Sequence, residues 1–407
     1  MERIIFGLTG AFGSGCSFLA EHFFVKNFAY RKYSLSDELK HKYALENGEE
    51  YKSRSDLQKF GNEVRRADIA ALAKAVLVKI NADDIAEQER AKTDGKEYHQ
   101  APIIIDSIRN PAEIEFFRAN CPSFVLFAIF ADYDTRWDRV KADYNESKDA
   151  FDRDEAKDQG SNEPSYGQRI TSCFFQADVV ISNNSEINPD SPNEAFENMR
   201  KNLLNYTKAF SEPTKSKPTI QETVMAMAYA VGRRSKCIKR RVGAVIVDGK
   251  MRVLSTGFNA VPVGLKDCEQ QIGNCYRATK KKKLHGEIHR RILMDFPSCE
   301  TKVADDIISK FKILELCRAL HAEENAILSL VGHSFGTDLT EATLYTTTYP
   351  CNLCANKIVQ VGIKHVIYFE PYPVKEAKKI FEEAKVKAEG FEGVTYRAFF
   401  RAFNFEE

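Results

Sequence analysis

The spacing of apolar residues divides the first half of the chain into alternating strands and helices. Four runs rich in β-branched and aromatic residues are separated by polar stretches with helical spacing. These runs are RIIFGLT, APIIIDSI, SFVLFAIF and ADVVISNN. Such alternation predicts a parallel sheet covered by helices on both faces. We therefore expect an α/β fold for this part of the chain.

The second half follows a different pattern. VGAVIV, the turn DGK and MRVLSTGF predict a hairpin, and after an insert come a helix and the strands ATLYTTT and HVIYF. The stretch SEPTKSKPT between the halves has the composition of a linker. Directly after it, Thr219 and Glu222 have the spacing of a capping box that starts a helix. We predict a first domain over 1–210, a linker over 211–218 and a second domain over 219–407.

Composition limits the classes of function. A length of 407 residues with 43% hydrophobic residues is enough for two cores. The net charge of +1 gives no overall electrostatic case for binding nucleic acid or a membrane surface. No run approaches the roughly 20 apolar residues of a membrane-spanning helix, and the N-terminus lacks the regions of a signal peptide. We expect a cytoplasmic protein with no membrane partner, whose ten cysteines are buried, metal-bound or catalytic rather than paired in disulfides.

Two short motifs in the second half carry metal chemistry. His321 and Glu323 lie at the start of an apolar-periodic helix in LHAEENAILSLV, and Cys351 and Cys354 lie one helical turn apart in TTTYPCNLCANKIV. One imidazole and two thiolates are ligands for tetrahedral Zn²⁺ and leave a fourth position for water. A carboxylate two residues after the histidine could move that water's proton. This is the H-x-E and P-C-x-x-C pattern of zinc deaminases.

Two non-catalytic interpretations of these motifs stay open. The cysteines could be unrelated buried thiols beside a surface histidine, or the metal could be purely structural, although such a site normally has a fourth protein ligand. A second H-x-E, His285 to Glu287 in HGEIH, follows four lysines and precedes no apolar helix. We do not take it as the catalytic pair.

The second domain resembles the deoxycytidylate deaminases. RRSKCIKRRVGAVIV, LSTGFNAVPVG, LHAEENAI and TLYTTTYPCNLCANKIVQVGIKHVIYFEPY follow one another as they do in that family. The resemblance implies a cytidine-deaminase-like α-β-α sandwich around a five-stranded sheet, with zinc on His321, Cys351 and Cys354 and proton transfer by Glu323. It also implies that Asn259 contacts the sugar of the substrate. The other residues implied to contact the nucleotide are Tyr368 and Tyr372.

Further cysteines and histidines suggest a second metal. An antiparallel hairpin would bring Cys237 and Cys268 toward one end of the sheet, and Cys317 would approach from the start of the catalytic helix. The insert offers candidates for a fourth ligand: Cys275, His285, His289 and Cys299. Some deoxycytidylate deaminases carry a structural zinc in this region. The alternative is that these are buried thiols and surface histidines, because free cysteine packs as a small hydrophobe.

The glycine-rich stretch GLTGAFGSGCS is one residue away from a phosphate-binding P-loop, because Cys16 stands in the place of the lysine. With DLQKFGNEVRR and IIIDSIRNPAEIEFFR, it makes the first domain resemble P-loop nucleoside-monophosphate kinases. That resemblance implies a P-loop NTPase-like parallel sheet and a site for a nucleoside phosphate such as ATP with Mg²⁺. The residues predicted to form that site are Gly10, Gly13, Gly15, Ser17, Asp106 and Arg109. Without the lysine we expect nucleotide binding with poor phosphoryl transfer. The alternatives are a purely structural relic and an active kinase or ATPase.

The combination of the two domains resembles the bacterial antiphage deoxycytidylate deaminases. This implies a homo-oligomer that converts free dCMP or dCTP to the uracil nucleotide and ammonia, in antiviral defence, with a small noncoding RNA as a possible inhibitor. One alternative is a cytosine deaminase acting on RNA or single-stranded DNA, which the basic stretch YRATKKKKLHGEIHRR favours slightly. The other is a nucleotide-gated sensor with a weak deaminase.

Overall fold

The computed structural model describes residues 3–48, 51, 54–160, 164–296, 305, 316–331, 338–370 and 375–404. The chain divides into two compact units. Unit 1 comprises Met1–Glu222 together with Glu392–Glu407, and unit 2 comprises Thr223–Phe391. Within the described ranges, no helix is both long and apolar enough to cross a membrane.

Strands and helices are numbered here in chain order. The strands are β1 (Ile5–Gly10), β2 (Arg31–Ser34), β3 (Ile103–Asp106), β4 (Phe124–Phe130), β5 (Val179–Ser182), β6 (Gly243–Val247), β7 (Val253–Phe258), β8 (Thr343–Thr346), β9 (His365–Tyr368), β10 (Lys387–Gly390) and β11 (Gly393–Val394). The α-helices are α1 (Cys16–Leu19), α2 (Leu35–Asn47), α3 (Arg54–Ala67), α4 (Ala71–Thr93), α5 (Pro111–Asn120), α6 (Tyr133–Val140), α7 (Lys148–Asp158), α8 (Ile170–Phe174), α9 (Glu194–Ser211), α10 (Ile220–Gly232), α11 (Cys268–Ile272), α12 (Tyr276–Asp295), α13 (Ala322–Val331), α14 (Asn352–Gln360), α15 (Lys375–Glu383) and α16 (Phe399–Ala402). A π-helical segment, Ala20–Val25, continues α1, and a 3₁₀ turn, Lys141–Tyr144, follows α6.

Unit 1 contains a six-stranded sheet in the order β11-β5-β4-β1-β3-β2. Every neighbouring pair is parallel except β11 with β5, which is antiparallel. The four strands predicted for the first half are confirmed as β1, β3, β4 and β5. Strand β2 was not predicted, because its sequence RKYS is mostly polar and carries no apolar run.

The core of unit 1 is rich in phenylalanine. Phe6, Phe24 and Phe127 lie within 6.1 Å of one another, centroid to centroid, and Phe23 stacks on Phe196 of α9 at 4.6 Å. All but Phe196 are at most 1% exposed. Aromatic burial of this kind contributes both area and oriented ring contacts. It holds α9 and the segment after β1 against the sheet.

The C-terminal segment differs from the predicted domain limits. The second domain was expected to run from 219 to 407, whereas Glu392–Glu407 belongs to unit 1. There β11 pairs with β5, Val394 opposite Val179, and α16 packs on α9. Ala402 and Phe403 are buried in the core of unit 1. The sequence did not predict this because β11 has only two residues, and local sequence does not show which sheet edge so short a strand pairs with.

Unit 2 contains a five-stranded sheet in the order β10-β9-β8-β6-β7, the number of strands that the resemblance implied. Strand β6 is antiparallel to β7 and β8, and the β8–β9 and β9–β10 pairs are parallel. Helix α13 packs on β7 and β6. Gly257 permits this close packing, since a Cβ at that position would lie 2.2 Å from the carbonyl oxygen of Ala322.

Candidate active site

The start of helix α13 positions His321 and Glu323. The helix is tied to strand β7, because Asn325 Nδ2 donates to the carbonyl of Phe258 at 2.7 Å and Ser255 Oγ donates to the carbonyl of Ala326 at 2.8 Å. Glu324 Oε2 accepts from the backbone N–H of His321 at 3.3 Å. Hydrogen bonds of both backbone and side-chain groups therefore hold the first turn of α13 in place.

The start of helix α14 positions the two cysteines. Cys351 is the N-cap residue of α14, directly after Pro350, and Cys354 lies in its first turn. Cys354 is 1% exposed and Cys351 is half-buried. A C-x-x-C pair at a helix start turns both sulfur atoms to one side, because three residues make nearly one helical turn.

The two helix starts bring three metal-ligating side chains together. Cys351 Sγ and Cys354 Sγ each lie 3.3 Å from His321 Nδ1. In the part of the chain that the structure describes, these three residues are the one group of at least three His, Cys, Asp or Glu whose ligand atoms all lie within 4.8 Å of one another. Tetrahedral zinc with its usual bond lengths sets S and N about 3.5 Å apart. The donor set and its spacing therefore fit Zn²⁺.

Glu323 is buried beside this cluster. Its side chain is 3% exposed, and burial raises the pKa of its carboxyl to about 7. The pKa of Cys351 is lowered, first by a hydrogen bond from Cys354 and also by one from His321. Thiolate at Cys351 and a carboxyl that binds and releases protons near neutral pH thus lie side by side.

Comparison with known proteins places this cluster in a defined family. The model of the cytidine and deoxycytidylate deaminase zinc-binding region matches residues 218–370. A deoxycytidylate deaminase of Mycobacterium phage D29 is 33% identical over 153 residues, which are 38% of this chain and 96% of the phage protein. The corresponding enzyme of Enterobacteria phage T4 is 35% identical over 152 residues, which are 37% of this chain and 77% of that protein. The chain belongs to the deoxycytidylate deaminase family.

Longer relatives are matched only in part. The Schizosaccharomyces pombe deoxycytidylate deaminase is 34% identical over 197 residues, 48% of each chain, so this chain spans about half the length of that relative. Among solved structures, a dCMP deaminase of cyanophage S-TIM5 in complex with dCMP and dUMP shares 24% identity, with a TM-score of 0.30. The match covers 43% of this chain and 98% of that one.

In this deaminase-family unit, the side-chain amide of Asn259 forms hydrogen bonds with the backbone of the protein itself. Its Oδ1 accepts from the N–H of Val242 at 2.8 Å, and its Nδ2 donates to the carbonyl of Arg240 at 2.8 Å. The residue is 8% exposed. The Asn259 amide therefore holds the segment before β6, and its contact with a sugar stays a prediction.

The two tyrosines expected to flank the nucleotide have different outcomes. Tyr368 is 6% exposed, and its ring packs against Tyr349 at 4.6 Å within the core of unit 2. Tyr372 lies outside the described residues. Contact of either with substrate stays a prediction.

The cysteines proposed for a second metal lie near one another without forming a compact ligand set. Burial raises the pKa of Cys317, and the proximity of Cys237 and of Cys268 adds to that increase. Among the described residues their sulfur atoms do not all lie within 4.8 Å of one another. Cys275 is buried at the start of α12, and Cys299 lies outside the described residues. The second metal site stays a prediction.

The predicted phosphate-loop residues of unit 1 line one cavity of about 280 Å³. Gly13 and Gly15 have positive φ, 80° and 94°, and at Gly15 a Cβ would lie 2.4 Å from Asn183 Nδ2. Ser17 Oγ donates to Asp106 Oδ2 at 2.5 Å. The remaining predicted residues, Gly10 and Arg109, line the same cavity.

Sequence reasoning missed two charged residues at this cavity. Arg139 and Asp143, from α6 and the turn after it, also line it. Arg139 donates to the carbonyls of Gly13 and Ser185 at 3.4 and 3.2 Å. The one local signal was the repeated arginine in YDTRWDRV, directly after a predicted strand. Burial raises the pKa of Cys16 to about 12, so its thiol stays neutral at the position of the P-loop lysine. The positively charged side chains that line this cavity are Arg109 and Arg139.

Proposed function

We propose that unit 2 hydrolyses free deoxycytidine nucleotides, dCMP, dCTP or both, to the uracil nucleotide and ammonia. The observation that carries the proposal is a buried carboxylate, Glu323, directly beside the His321, Cys351 and Cys354 cluster. In the reaction, the bond from C4 of the base to its amino nitrogen breaks and a bond from C4 to a water oxygen forms. A proton must therefore leave the water and reach the departing amine.

The cluster residues would hold the metal, and Glu323 would move the proton. Zn²⁺ on this donor set acts as a Lewis acid that makes a bound water more acidic. The Glu323 carboxylate belongs to the same helix turn as His321 but lies outside the ligand set, so it is free to accept a proton and donate it to the amino nitrogen. Burial of Glu323 excludes bulk water, which would otherwise compete as a proton acceptor.

Free nucleotide, rather than a polynucleotide, is supported by family membership. The relatives at 33 and 35% identity are deoxycytidylate deaminases. The lysine-rich stretch that favoured a polynucleotide forms helix α12. No residue of that helix is buried, so its positive charge stays exposed and a polynucleotide substrate remains one outcome of the assay below.

One assay separates the three functions left open by the sequence. The full chain is incubated with dCMP, dCTP and a cytosine-containing single-stranded oligonucleotide, and ammonia release is measured. We expect release from dCMP, dCTP or both, and none from the oligonucleotide. Release from the oligonucleotide alone would identify a polynucleotide deaminase, and no release from any of them would favour the sensor.

We propose further that unit 1 has a P-loop NTPase-like fold and binds a nucleoside phosphate, such as ATP, with Mg²⁺. The sheet order supports this, since the loop after β1 lies where the chain changes direction across the sheet, the usual ligand crevice of open α/β sheets. Asp106 and Ser17 offer oxygen ligands for Mg²⁺. Binding of a fluorescent ATP analogue with Mg²⁺ should be lost in Gly15→Val, whose side chain would meet Asn183, and weakened in Arg139→Ala. Unchanged binding in both variants would make the loop a relic.

The assembly and biological role remain parts of this proposal. We propose a cytoplasmic homo-oligomer that lowers deoxycytidine nucleotides in antiphage defence and whose deaminase a small noncoding RNA can inhibit. The support is the combination of a degenerate phosphate loop, with Cys16 in place of lysine, and a deoxycytidylate deaminase region in one chain. Light scattering of the purified protein tests the oligomer, and phage plating with wild type and Glu323→Ala tests the defence role.

A further inference from the structure

Two adjacent glutamates in the first turn of α13 have different surroundings. Glu323 is buried beside the candidate metal ligands. The side chain of Glu324 is 19% exposed. Both carboxylate oxygens of Glu324 have a partner, one at the start of α13 and one on helix α14. Glu324 therefore connects the segment that carries His321 to the helix that starts at the cysteines.

The first oxygen of Glu324 fixes the backbone of a candidate metal ligand. The carbonyl of His321 accepts from the N–H of Asn325 at 2.9 Å, so His321 is the N-cap residue of α13 and Glu324 stands at its third helical position. Glu324 Oε2 accepts from the N–H of His321 at 3.3 Å, which is the glutamate half of a capping box. This bond restricts the backbone from which the His321 imidazole extends.

The second oxygen of Glu324 reaches helix α14. Glu324 Oε1 lies 2.8 Å from Lys357 Nζ. Lys357 follows Cys354 by three residues, so the two side chains are neighbours on one side of α14. In the part of the chain that the structure describes, this is the one ion pair between α13 and α14. The pair is partly shielded from solvent, which limits its screening by salt.

A metal site made from two helices depends on the separation of those helices. His321 comes from the start of α13, whereas both cysteines come from the start of α14. Zinc bonds to nitrogen and sulfur have nearly fixed lengths, so a small shift of one helix would pull the ligand atoms apart. The hydrogen bonds of Asn325 and Ser255 join α13 to strand β7 and leave the placement of α14 to other contacts.

We propose that Glu324 is a positioning residue for the metal site, which it connects to α14 through Lys357. The inference rests on the metal site of the proposed function. A single carboxylate holds the backbone of one ligand and the helix of the other two. Both of its oxygens are taken by these donors, so proton transfer stays with Glu323. Groups that orient metal ligands typically change metal affinity or activity by about 10–100-fold when they are removed.

Metal binding by the full chain tests the proposal without relying on deamination. Metal-free protein is titrated with Co²⁺ in the presence of a competing chelator, and the visible absorption spectrum reports whether the coordination is tetrahedral. We expect Co²⁺ binding to weaken about tenfold or more in Lys357→Met, which removes the ammonium and keeps most of the side-chain length. Lys357→Arg keeps a cation that can pair with Glu324 and should recover most of that affinity.

A double-mutant cycle tests whether the two residues act through each other. Glu324→Gln keeps an oxygen that can accept from the His321 N–H but loses the charge. The double variant Glu324→Gln/Lys357→Met should bind Co²⁺ about as tightly as the more impaired single variant, rather than more weakly by both effects. With metal in excess, KM for the deoxycytidine nucleotide should be unchanged in the single variants, because neither residue is proposed to contact substrate.

Lys378→Met is the matched control. Lys378 pairs with Glu382 within α15 at 3.9 Å, and both side chains are more than half exposed. This variant removes an equal charge from unit 2 and should leave Co²⁺ binding unchanged. The far-UV circular dichroism spectrum of each variant is first compared with that of wild type.

The outcomes separate this inference from the proposed function. Equal weakening in Lys378→Met, unchanged binding in both Lys357→Met and Glu324→Gln, or fully additive losses in the double variant would each overturn the positioning role. Wild type that binds no Co²⁺ would overturn the metal site itself. Wild type that binds Co²⁺ with tetrahedral coordination but deaminates no nucleotide would overturn the proposed function and leave the positioning role standing.

Discussion

Glu323 and Glu287 are matched in local sequence but not in surroundings. Each stands two residues after a histidine, yet Glu323 is buried beside two cysteines whereas Glu287 lies on α12, whose residues the structure leaves partly or fully exposed. The H-x-E pair can take part in metal chemistry only because folding places the second motif, Cys351 and Cys354, next to it.

Glu323→Gln should lower kcat for deoxycytidine nucleotides by about 10²–10⁴-fold, because it removes a proton-transferring group. The zinc content of the purified variant, measured by atomic emission, should equal that of wild type, since the carboxylate is not one of the three ligands. Glu287→Gln is the matched control and should retain wild-type activity. Equal loss of zinc and activity in Glu323→Gln would make Glu323 a ligand.

Asn259→Ala should destabilise unit 2 by about 2–3 kcal/mol, measured by urea unfolding. Its side chain makes two backbone hydrogen bonds, to Val242 and Arg240, and truncation leaves both backbone groups without their partner. Asn259→Asp keeps the acceptor for Val242 but sets a second oxygen against the carbonyl of Arg240, so it should also destabilise unit 2. Unchanged stability with a raised KM would show instead that the amide serves the substrate.

At the scale of elements, the start of helix α10 and the short strand β11 depend on one carboxylate. Glu222 Oε2 accepts from the backbone N–H of Thr219 at 2.7 Å, and Thr219 Oγ1 accepts from the N–H of Glu222 at 3.2 Å, which confirms the predicted capping box. The second oxygen, Oε1, accepts from the N–H of Val394 at 2.7 Å. Glu222 is 3% exposed, so all three bonds are shielded from water.

Thr219→Ala and Glu222→Ala should therefore have different effects. Thr219→Ala removes one side of the cap and should cost about 1 kcal/mol. Glu222→Ala also leaves the buried N–H of Val394 unpaired and should cost about 2–4 kcal/mol. Hydrogen exchange at Val394 should accelerate only in Glu222→Ala. Equal exchange rates in the two variants would mean that pairing with β5 alone protects Val394.

At the scale of the whole chain, Glu392 lies where the chain returns to unit 1. Its Oε1 accepts from Asn202 Nδ2 at 3.0 Å and its Oε2 accepts from the N–H of Ser182 at 3.3 Å. Burial raises the pKa of Glu392 above its ordinary value of 4.5, and these hydrogen bonds oppose that increase only in part. Folded unit 1 therefore binds this proton more tightly than the unfolded chain does.

The stability of unit 1 should accordingly depend on pH through Glu392. The contribution of this carboxyl is fully present below pH 4.5 and is lost as the pH rises through the raised pKa. Glu392→Gln should reduce the fall in the free energy of unfolding as the pH rises above 4.5, measured by urea titration at each pH. Asn202→Ala removes a bond that lowers this pKa and should steepen the fall. A slope unchanged by both variants would exclude Glu392 as the titrating group.

Features that depend on neighbouring residues could be predicted from the sequence alone. The apolar runs identified four strands of unit 1 because burial on both faces of a parallel sheet needs continuous apolar stretches. The capping box of Thr219 and Glu222 was readable because it spans one helical turn. The candidate metal ligands His321, Cys351 and Cys354 were readable because their chemistry is rare and their spacing within each motif is local.

Contacts that join distant segments depend on the folded structure and could not be predicted from the sequence. The return of Glu392–Glu407 to unit 1 rests on the pairing of β11 with β5, which no local pattern specifies. Asn259 is held by backbone groups of Arg240 and Val242, and Gln58 is oriented by Asp158, 100 residues further along the chain. Hydrogen-bond partners and cavities form where elements pack, so their identity depends on the three-dimensional arrangement rather than on spacing along the chain.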